Sequence, residues 1–400
     1  MILIIGELPI TSGGGGIRNV EILRRFDFEF EFIPSTYNIY NALRDHSYKE
    51  KLLEKINQLK LNVSPCILKL LETRKTLSKL QIIKQISNFM KNKTFEIIYS
   101  QADILEDIIL ASKINGRHRG FLIQGVWFSE NFWEDLKLDF MGNRDVMYDI
   151  LSIGFLSLKR AIYRNLFVHY VKYMDFVNTI NPKNQEYMTL EKKNIRKNII
   201  FPGNAIRELN KLDQNMKEDY FIYPARYNPS KGFLLLPYIW KEVTRRGYNI
   251  KLYVSTNDFN NPYVKRFIRL SKKFKLENIV YVGFLDTFNF SLYVSKAKGV
   301  IVPSLRETYS LTTLESLYLG TVYLGFRTPT LEYLYGSLKP VFLGSSIEEI
   351  ADNVIKVNNL TNSEYKELFD EKTKKFIELH SSWDRVAKME QDTLLYLTKK

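Results

Sequence analysis

GVIVPSLRETYSLTTLESLYLGTVYLGF, residues 299–326, opens as an apolar strand-like run, turns through a loop and continues as a helix. Seven residues separate Glu307 from Glu315 in this stretch. With the helix beginning near Tyr309, Glu315 falls on its buried, ligand-facing side while Glu307 stays in the loop above the strand. A glutamate set among Leu, Thr and Tyr needs a polar partner to be worth burying, and a ribose diol is such a partner.

The same strand-loop-helix alternation runs outward from this stretch in both directions. MILIIG, FEFIPS, FEIIYS, GFLIQG and FVNTI occupy the first half, and YFIYPA, IKLYVS, NIVYVG and GVIVPS the second. Apolar runs separated by amphipathic segments predict parallel α/β sheets. The polar stretch after Phe201-Pro202-Gly203-Asn204 interrupts the series, which predicts domains at 1–203 and 219–382, a linker at 204–218 and a last helix over 383–400. Residues 145–172 read as one long helix, or two broken near Gly154, either packed in a core or dipping aromatics into a membrane interface.

Two further segments carry chemistry. In YFIYPARYNPSKGFLLLPYIWKEV, residues 220–243, a strand ends at Ala225-Arg226 and Lys231-Gly232 precedes an apolar helix. Cations at the carboxyl end of a parallel strand stand where open α/β sheets bind ligands, and they suit a diphosphate leaving group. Near the start, Thr11-Ser12 and Gly13 to Gly16 lie between a strand and a helix. Glycines let backbone approach a ligand, and amides at a helix start favour an anion. The spacing is not the dinucleotide fingerprint G-x-G-x-x-G, which disfavours a nicotinamide or flavin enzyme.

Composition sets the outer limits. The chain has 400 residues, 45% of them hydrophobic and 26% charged, enough to bury cores in two domains. Its one cysteine, Cys66, leaves no intrachain disulfide, and no secretion signal or spanning stretch is read, so the expected place is the cytoplasm, with a peripheral position at the inner face of the membrane as an extension. A net charge of +14 calls for an anionic partner. Between Lys49 and Lys93 there are eleven Lys or Arg against three Glu, at helical spacing among Leu and Ile. That face is either solvated or docks on anionic lipid headgroups.

Taken together, these segments resemble the retaining GT-B glycosyltransferases of the group-one, family-four type. The resemblance rests on the Gly13–Gly16 loop, NIIFPGNAI (198–206), ARYNPSKGF (225–233), NIVYVGFLD (278–286), VPSLRETYSLTTLE (302–315) and SSWDRVAKM (381–389). Its specific part is the Glu-x7-Glu element with the Arg-x4-Lys-Gly element upstream. It implies two Rossmann-like domains facing each other across a deep cleft. It further implies that Arg226 and Lys231 bind the donor diphosphate, that Glu315 holds the ribose hydroxyls and that Glu307 contacts the transferred sugar. Backbone amides of Tyr309, Ser310 and Leu311 would reach the phosphate or sugar, and Gly14 and Gly15 would close over the diphosphate from the other domain. The last helix would cross back onto the first domain. The reaction implied is sugar transfer from a nucleotide-diphosphate sugar to a glycan, lipid-linked glycan or protein, with retention and without a metal or other cofactor.

Three positions depart from the family pattern. Thr308 and Ser310 flank Tyr309 where the family has glycines, and Gln124 stands where the first domain commonly offers a histidine near the donor sugar. Glutamine donates a hydrogen bond but cannot act as a base. An inactive donor-binding protein is one alternative that follows. Another is a sugar-nucleotide epimerase of the same fold, which lacks a constellation suited to proton abstraction. Nucleic acid is not an expected partner, because no recognised binding signature accompanies the basic charge. The acceptor is expected on the first domain, near the basic face and the aromatics Trp127, Phe128, Phe132 and Trp133, which otherwise belong to the core or its rim.

Overall fold

A computed structural model of the chain describes residues 1–10, 14–73, 76–125, 129, 131–142, 150–190, 194–211 and 217–398. They divide into two compact units. The first comprises Met1–Phe128, Arg160–Asn204 and Trp383–Lys400, and the second Ser129–Lys159 and Ala205–Ser382.

Six parallel strands build the first unit: β1 (Ile2–Gly6), β2 (Phe30–Pro34), β3 (Thr94–Ser100), β4 (Asn115–Ile123), β5 (Phe176–Thr179) and β6 (Arg196–Ile199), in the order β2-β1-β3-β4-β5-β6. Apolar runs such as Ile2–Ile5 in β1 and Phe121–Ile123 in β4 suit a parallel sheet covered by helices on both faces, although Glu31, Glu96 and Arg119 interrupt β2, β3 and β4. Leu3, Ile4, Ile5, Ile97, Ile98, Phe121 and Leu122 are fully buried. The lysine-rich segment forms the helices His46–Gln58, Pro65–Glu72 and Lys79–Met90, which bury Leu52, Ile56, Ile67, Leu70, Ile82, Ile83 and Ile86, leave Lys51, Lys69 and Lys84 exposed and half-bury Lys49, Lys55 and Lys79. The closing helix Trp383–Thr398 is locked into this unit by a buried ion pair. Arg18 Nη2 lies 2.6 Å from Glu390 Oε2, the Tyr99 hydroxyl donates to Glu390 Oε1 at 2.9 Å, and Arg18 Nε donates to the Gly203 carbonyl.

The second unit repeats the plan with β7 (Glu218–Tyr223), β8 (Lys251–Val254), β9 (Ile279–Tyr281), β10 (Ala297–Ile301), β11 (Val322–Phe326) and β12 (Val341–Gly344), in the order β12-β11-β10-β7-β8-β9. All neighbours are parallel. The apolar helix Leu236–Arg245 buries Ile239, Trp240 and Val243, and the Trp240 indole donates to the Ile250 carbonyl at 2.8 Å. Every strand read from the sequence is present; β6, β11 and β12 are additional.

The division into units differs from the expected domains: Asn204 falls in the first unit and the rest of the expected 204–218 linker in the second. Residues 129–159 cluster with the second sheet although they come from the first half of the chain. The reason is a set of contacts spanning about 170 residues of sequence, set out with the functional site below. The helix Ile150–Val171 runs through Gly154 without a break, and the boundary between units falls within it. Among the described residues, no helix is long and apolar enough to cross a membrane.

Candidate functional site

In the second sheet the chain runs from β7 through β8 to β9 at one edge, then returns to place β10 beside β7 and continues to the other edge. Loops leaving β7 and β10 therefore diverge, and the crevice at such a switch point is where α/β sheets bind ligands. Both chemistry-bearing segments read from the sequence leave these two strands at their carboxyl ends.

The loop after β7 is tightly fixed. The Tyr223 hydroxyl donates to the Arg226 carbonyl at 2.6 Å, leaving the guanidinium on an exposed residue. Asn228 accepts from Ser230 N at 2.9 Å and caps the short 3-10 turn Pro229–Lys231. Gly232 ends this turn at φ +70°, and a Cβ there would collide with the Pro303 carbonyl. The close approach is held by Leu305 N and Ser304 Oγ, which donate to the Ser230 carbonyl at 2.9 and 3.1 Å. The two loops thus form one hydrogen-bonded body. Within it Lys231 Nζ lies 2.7 Å from Glu307 Oε1, the lysine half-buried and the glutamate buried.

After β10, Ser310 adopts φ +58°, the left-handed region that costs a residue with a Cβ about 1–2 kcal/mol. This is one of the positions where the family pattern has glycine, so the serine keeps the glycine's backbone path. The helix Leu311–Tyr318 begins at the next residue, and its first amides point out of the helix without intrahelical acceptors. The Tyr309 ring turns into the core. Its hydroxyl meets His380 Nε2 at 2.6 Å, and His380 Nδ1 lies 2.8 Å from the Phe376 carbonyl. A carbonyl at Nδ1 requires the proton there, so Nε2 accepts from Tyr309. The Tyr335 hydroxyl donates to the Tyr309 carbonyl at 2.7 Å.

Glu315 lies on the inner side of its helix, 5% exposed. Burial pushes its carboxyl up to about 7, while Arg207 pulls the other way. Arg207 Nε lies 2.7 Å from Glu315 Oε1, and Nη2 donates to Oε2 at 3.3 Å. The guanidinium also sits 4.6 Å above the Phe290 ring.

Beside Glu307, Arg306 is buried and bridges two aspartates of the helix Phe132–Gly142: Nη2 to Asp135 at 2.8 Å and Nη1 to Asp139 at 3.0 Å. Asp135 also accepts from Ser129 N, and Asp139 from Ser157 Oγ. These contacts draw residues 129–159 into the second unit. Phe132 and Trp133, expected on the acceptor side of the first domain, belong instead to this helix; Trp127 and Phe128 lie outside the described residues.

In the first unit the chain order places a switch point between β1 and β3. Gly14 and Gly15 open the helix Gly14–Leu23 that follows β1, and Gly13 lies outside the described residues. Gln124 follows β4, but both of its amide hydrogens are engaged, with Asn19 Oδ1 at 3.0 Å and the Gln101 carbonyl at 2.7 Å. That leaves it no hydrogen to offer an added sugar without breaking a bond within the unit.

Arg207, Arg306 and His380 escape a reading of the sequence. Their partners lie between 71 and 171 residues away, so no local spacing announces them.

Residues 204–376 match the family model described as glycosyl transferases group 1. No curated protein matches the chain by sequence. Among solved structures, HepE of Anabaena in complex with UDP and glucose superposes with a TM-score of 0.67 at 10% identity, covering 98% of this chain and 99% of that one. Sucrose-phosphate synthase of Thermosynechococcus elongatus gives 0.67 at 12% identity over the whole of both chains. The lipopolysaccharide outer core galactosyltransferase WaaB, in its apo form, gives 0.60 at 11% identity over 99% of each. The twin parallel sheets, the loops at the second switch point and the matched segment agree: this chain has the GT-B fold, and its residues 204–376 match the group 1 glycosyl transferase family.

Proposed function

We propose that the protein transfers a sugar from a nucleoside-diphosphate sugar to a hydroxyl of a glycan or lipid-linked acceptor, with retention at the anomeric carbon and without a metal. The observation that carries this reading is the junction of β7 and β10, where Arg226, Lys231, Glu307 and the start of the helix Leu311–Tyr318 converge on one crevice. As the C1–O bond breaks, its electron pair passes to the diphosphate. Fixed cations and helix-start amides stabilise that charge without reorganising, which is the largest catalytic contribution such a site makes. Arg226 and Lys231 supply positive charge in the place a divalent ion would otherwise take. Glu315 meets the ribose, and Glu307 holds Lys231 and meets the sugar. Gly14 and Gly15 offer a second set of helix-start amides in the first unit.

HepE was solved with UDP and glucose, which favours including UDP-sugars among the probes. Calorimetry with UDP-, GDP- and ADP-sugars tests the proposal, with Lys231→Ala and Glu315→Ala in parallel. Binding to one nucleotide class, unchanged by EDTA and lost in both variants, is expected. No binding by a folded sample overturns it and leaves a GT-B protein without a donor. With the donor known, the anomeric proton coupling of the product tests retention.

For the acceptor, the helices over 46–90 expose Leu68, Leu80 and Phe89 among their lysines, with Lys69 over the Phe89 ring. Cations mixed with exposed apolar side chains suit a lipid-linked acceptor at an anionic membrane surface. Failure to pellet with anionic vesicles at low salt would refute that part alone.

A further inference from the structure

We infer that Arg207 is a positioning residue for nucleotide recognition: it clamps the Glu315 carboxylate in the orientation that accepts the ribose hydroxyls, and so sets the preference for a ribonucleotide donor. The inference rests on the donor reading of Glu315 given above. Its own evidence is geometric. Arg207 approaches both oxygens of Glu315, at 2.7 and 3.3 Å, from a segment outside any helix or strand. Two further contacts hold that segment in place. Ile206 N donates to the His380 carbonyl at 2.8 Å, and the Arg207 guanidinium lies over the Phe290 ring.

One hydrogen bond from Nη2 and the close ionic approach of Nε set two nitrogens of one rigid guanidinium against the two carboxylate oxygens, an orientation that a lysine ammonium cannot impose. Each carboxylate oxygen has two acceptor positions, so the clamp leaves room on each for a hydroxyl donor. The Glu315 carboxyl is buried and Arg207 is the cation beside it. Without Arg207, burial alone acts on the carboxyl, and the protonated form loses acceptor capacity.

The test compares UDP, GDP and ADP with their 2′-deoxy counterparts, by calorimetry on the full chain, for the wild type, Arg207→Met and Arg207→Lys. A hydrogen bond to a charged acceptor is worth about 1.5–3 kcal/mol, so the wild type is expected to prefer the ribonucleotide about tenfold or more. In Arg207→Met that preference should fall to about twofold or less, while the 2′-deoxynucleotide binds nearly as in the wild type. Arg207→Lys should restore the preference only in part. Equal loss of affinity for both nucleotides in Arg207→Met would mean a merely structural role and overturn the inference, as would an undiminished preference. A wild type that binds nucleotides without distinguishing the two sugars would instead overturn the ribose role of Glu315, and the inference with it. Thermal unfolding of each variant establishes that the proteins compared are folded.

Discussion

Lys231 and Glu307 form an ion pair at 2.7 Å that joins the loop after β7 to the loop after β10. The carboxylate is buried and the ammonium only half so, which makes Glu307 the fixed partner and Lys231 the group it aims. Removing one preorganised charge-stabilising group costs about 100-fold or more in kcat. Lys231→Met should show that loss. Glu307→Gln should lose at least about tenfold, because the lysine is no longer held. The double variant should lose less than the product of the two, which steady-state kinetics on all three proteins will show.

Donor binding should weaken in acid. Burial raises the Glu315 carboxyl to about 7, and its ionised form is the better acceptor for hydroxyls. The sign follows: affinity is full above pH 8 and falls as the pH drops through 7, by about tenfold per unit below it. The diphosphate of a nucleotide-sugar does not titrate in this range, so it is the ligand to use. Calorimetry between pH 6 and 8.5 should show the step in the wild type, and a weaker, flat profile in Glu315→Gln.

Arg306 should be worth more to stability than any exposed arginine. Removing one member of a buried ion cluster leaves charges without a partner and costs about 3–5 kcal/mol. Arg306→Leu takes this cation from Asp135 and Asp139, whose hydrogen bonds from Ser129 and Ser157 remain, and should lower stability by about that amount in denaturant unfolding. Removing an exposed arginine such as Arg245, paired to Glu242 within its own helix, should cost far less.

Gly232 and Gly320 form a matched test of backbone against space. Both have positive φ, +70° and +69°. A Cβ at Gly232 strikes the Pro303 carbonyl, whereas at Gly320 nothing lies within 4 Å. Gly320→Ala should therefore cost about 1 kcal/mol from conformation alone. Gly232→Ala should cost about 3 kcal/mol, conformation plus overpacking, and should also depress activity by displacing Lys231. Thermal unfolding and turnover measured side by side will separate the two.

Much of this architecture was legible in one sequence. Each of β1 to β5 and β7 to β10 carries a short apolar run because both faces of a parallel sheet are covered, and that shows as composition even where a charge such as Glu31 or Lys298 interrupts it. β6 was not legible because its Arg-Lys-Asn-Ile sequence lacks an apolar run at the sheet's edge. The Lys231 and Glu307 segments were legible because glycine and proline mark their turns. Their pairing was not, since they lie 76 positions apart in the chain. The placement of Phe132 and Trp133 was misread for the same reason: the pull of Arg306 on Asp135 and Asp139 leaves no mark on the residues around them.

What the sequence determined by itself is local and periodic: which runs become strands, where helices start, and which short segments carry cations, carboxylates and glycine turns. Hydrophobic burial and backbone sterics act over a few residues, so they are written in order along the chain. Only the tertiary structure decided which charges meet. Arg207 on Glu315, Arg306 on its two aspartates and His380 on Tyr309 are brought together by strand order and loop closure, and a buried charge or hydrogen bond is satisfied by any partner that the fold delivers, however distant in sequence.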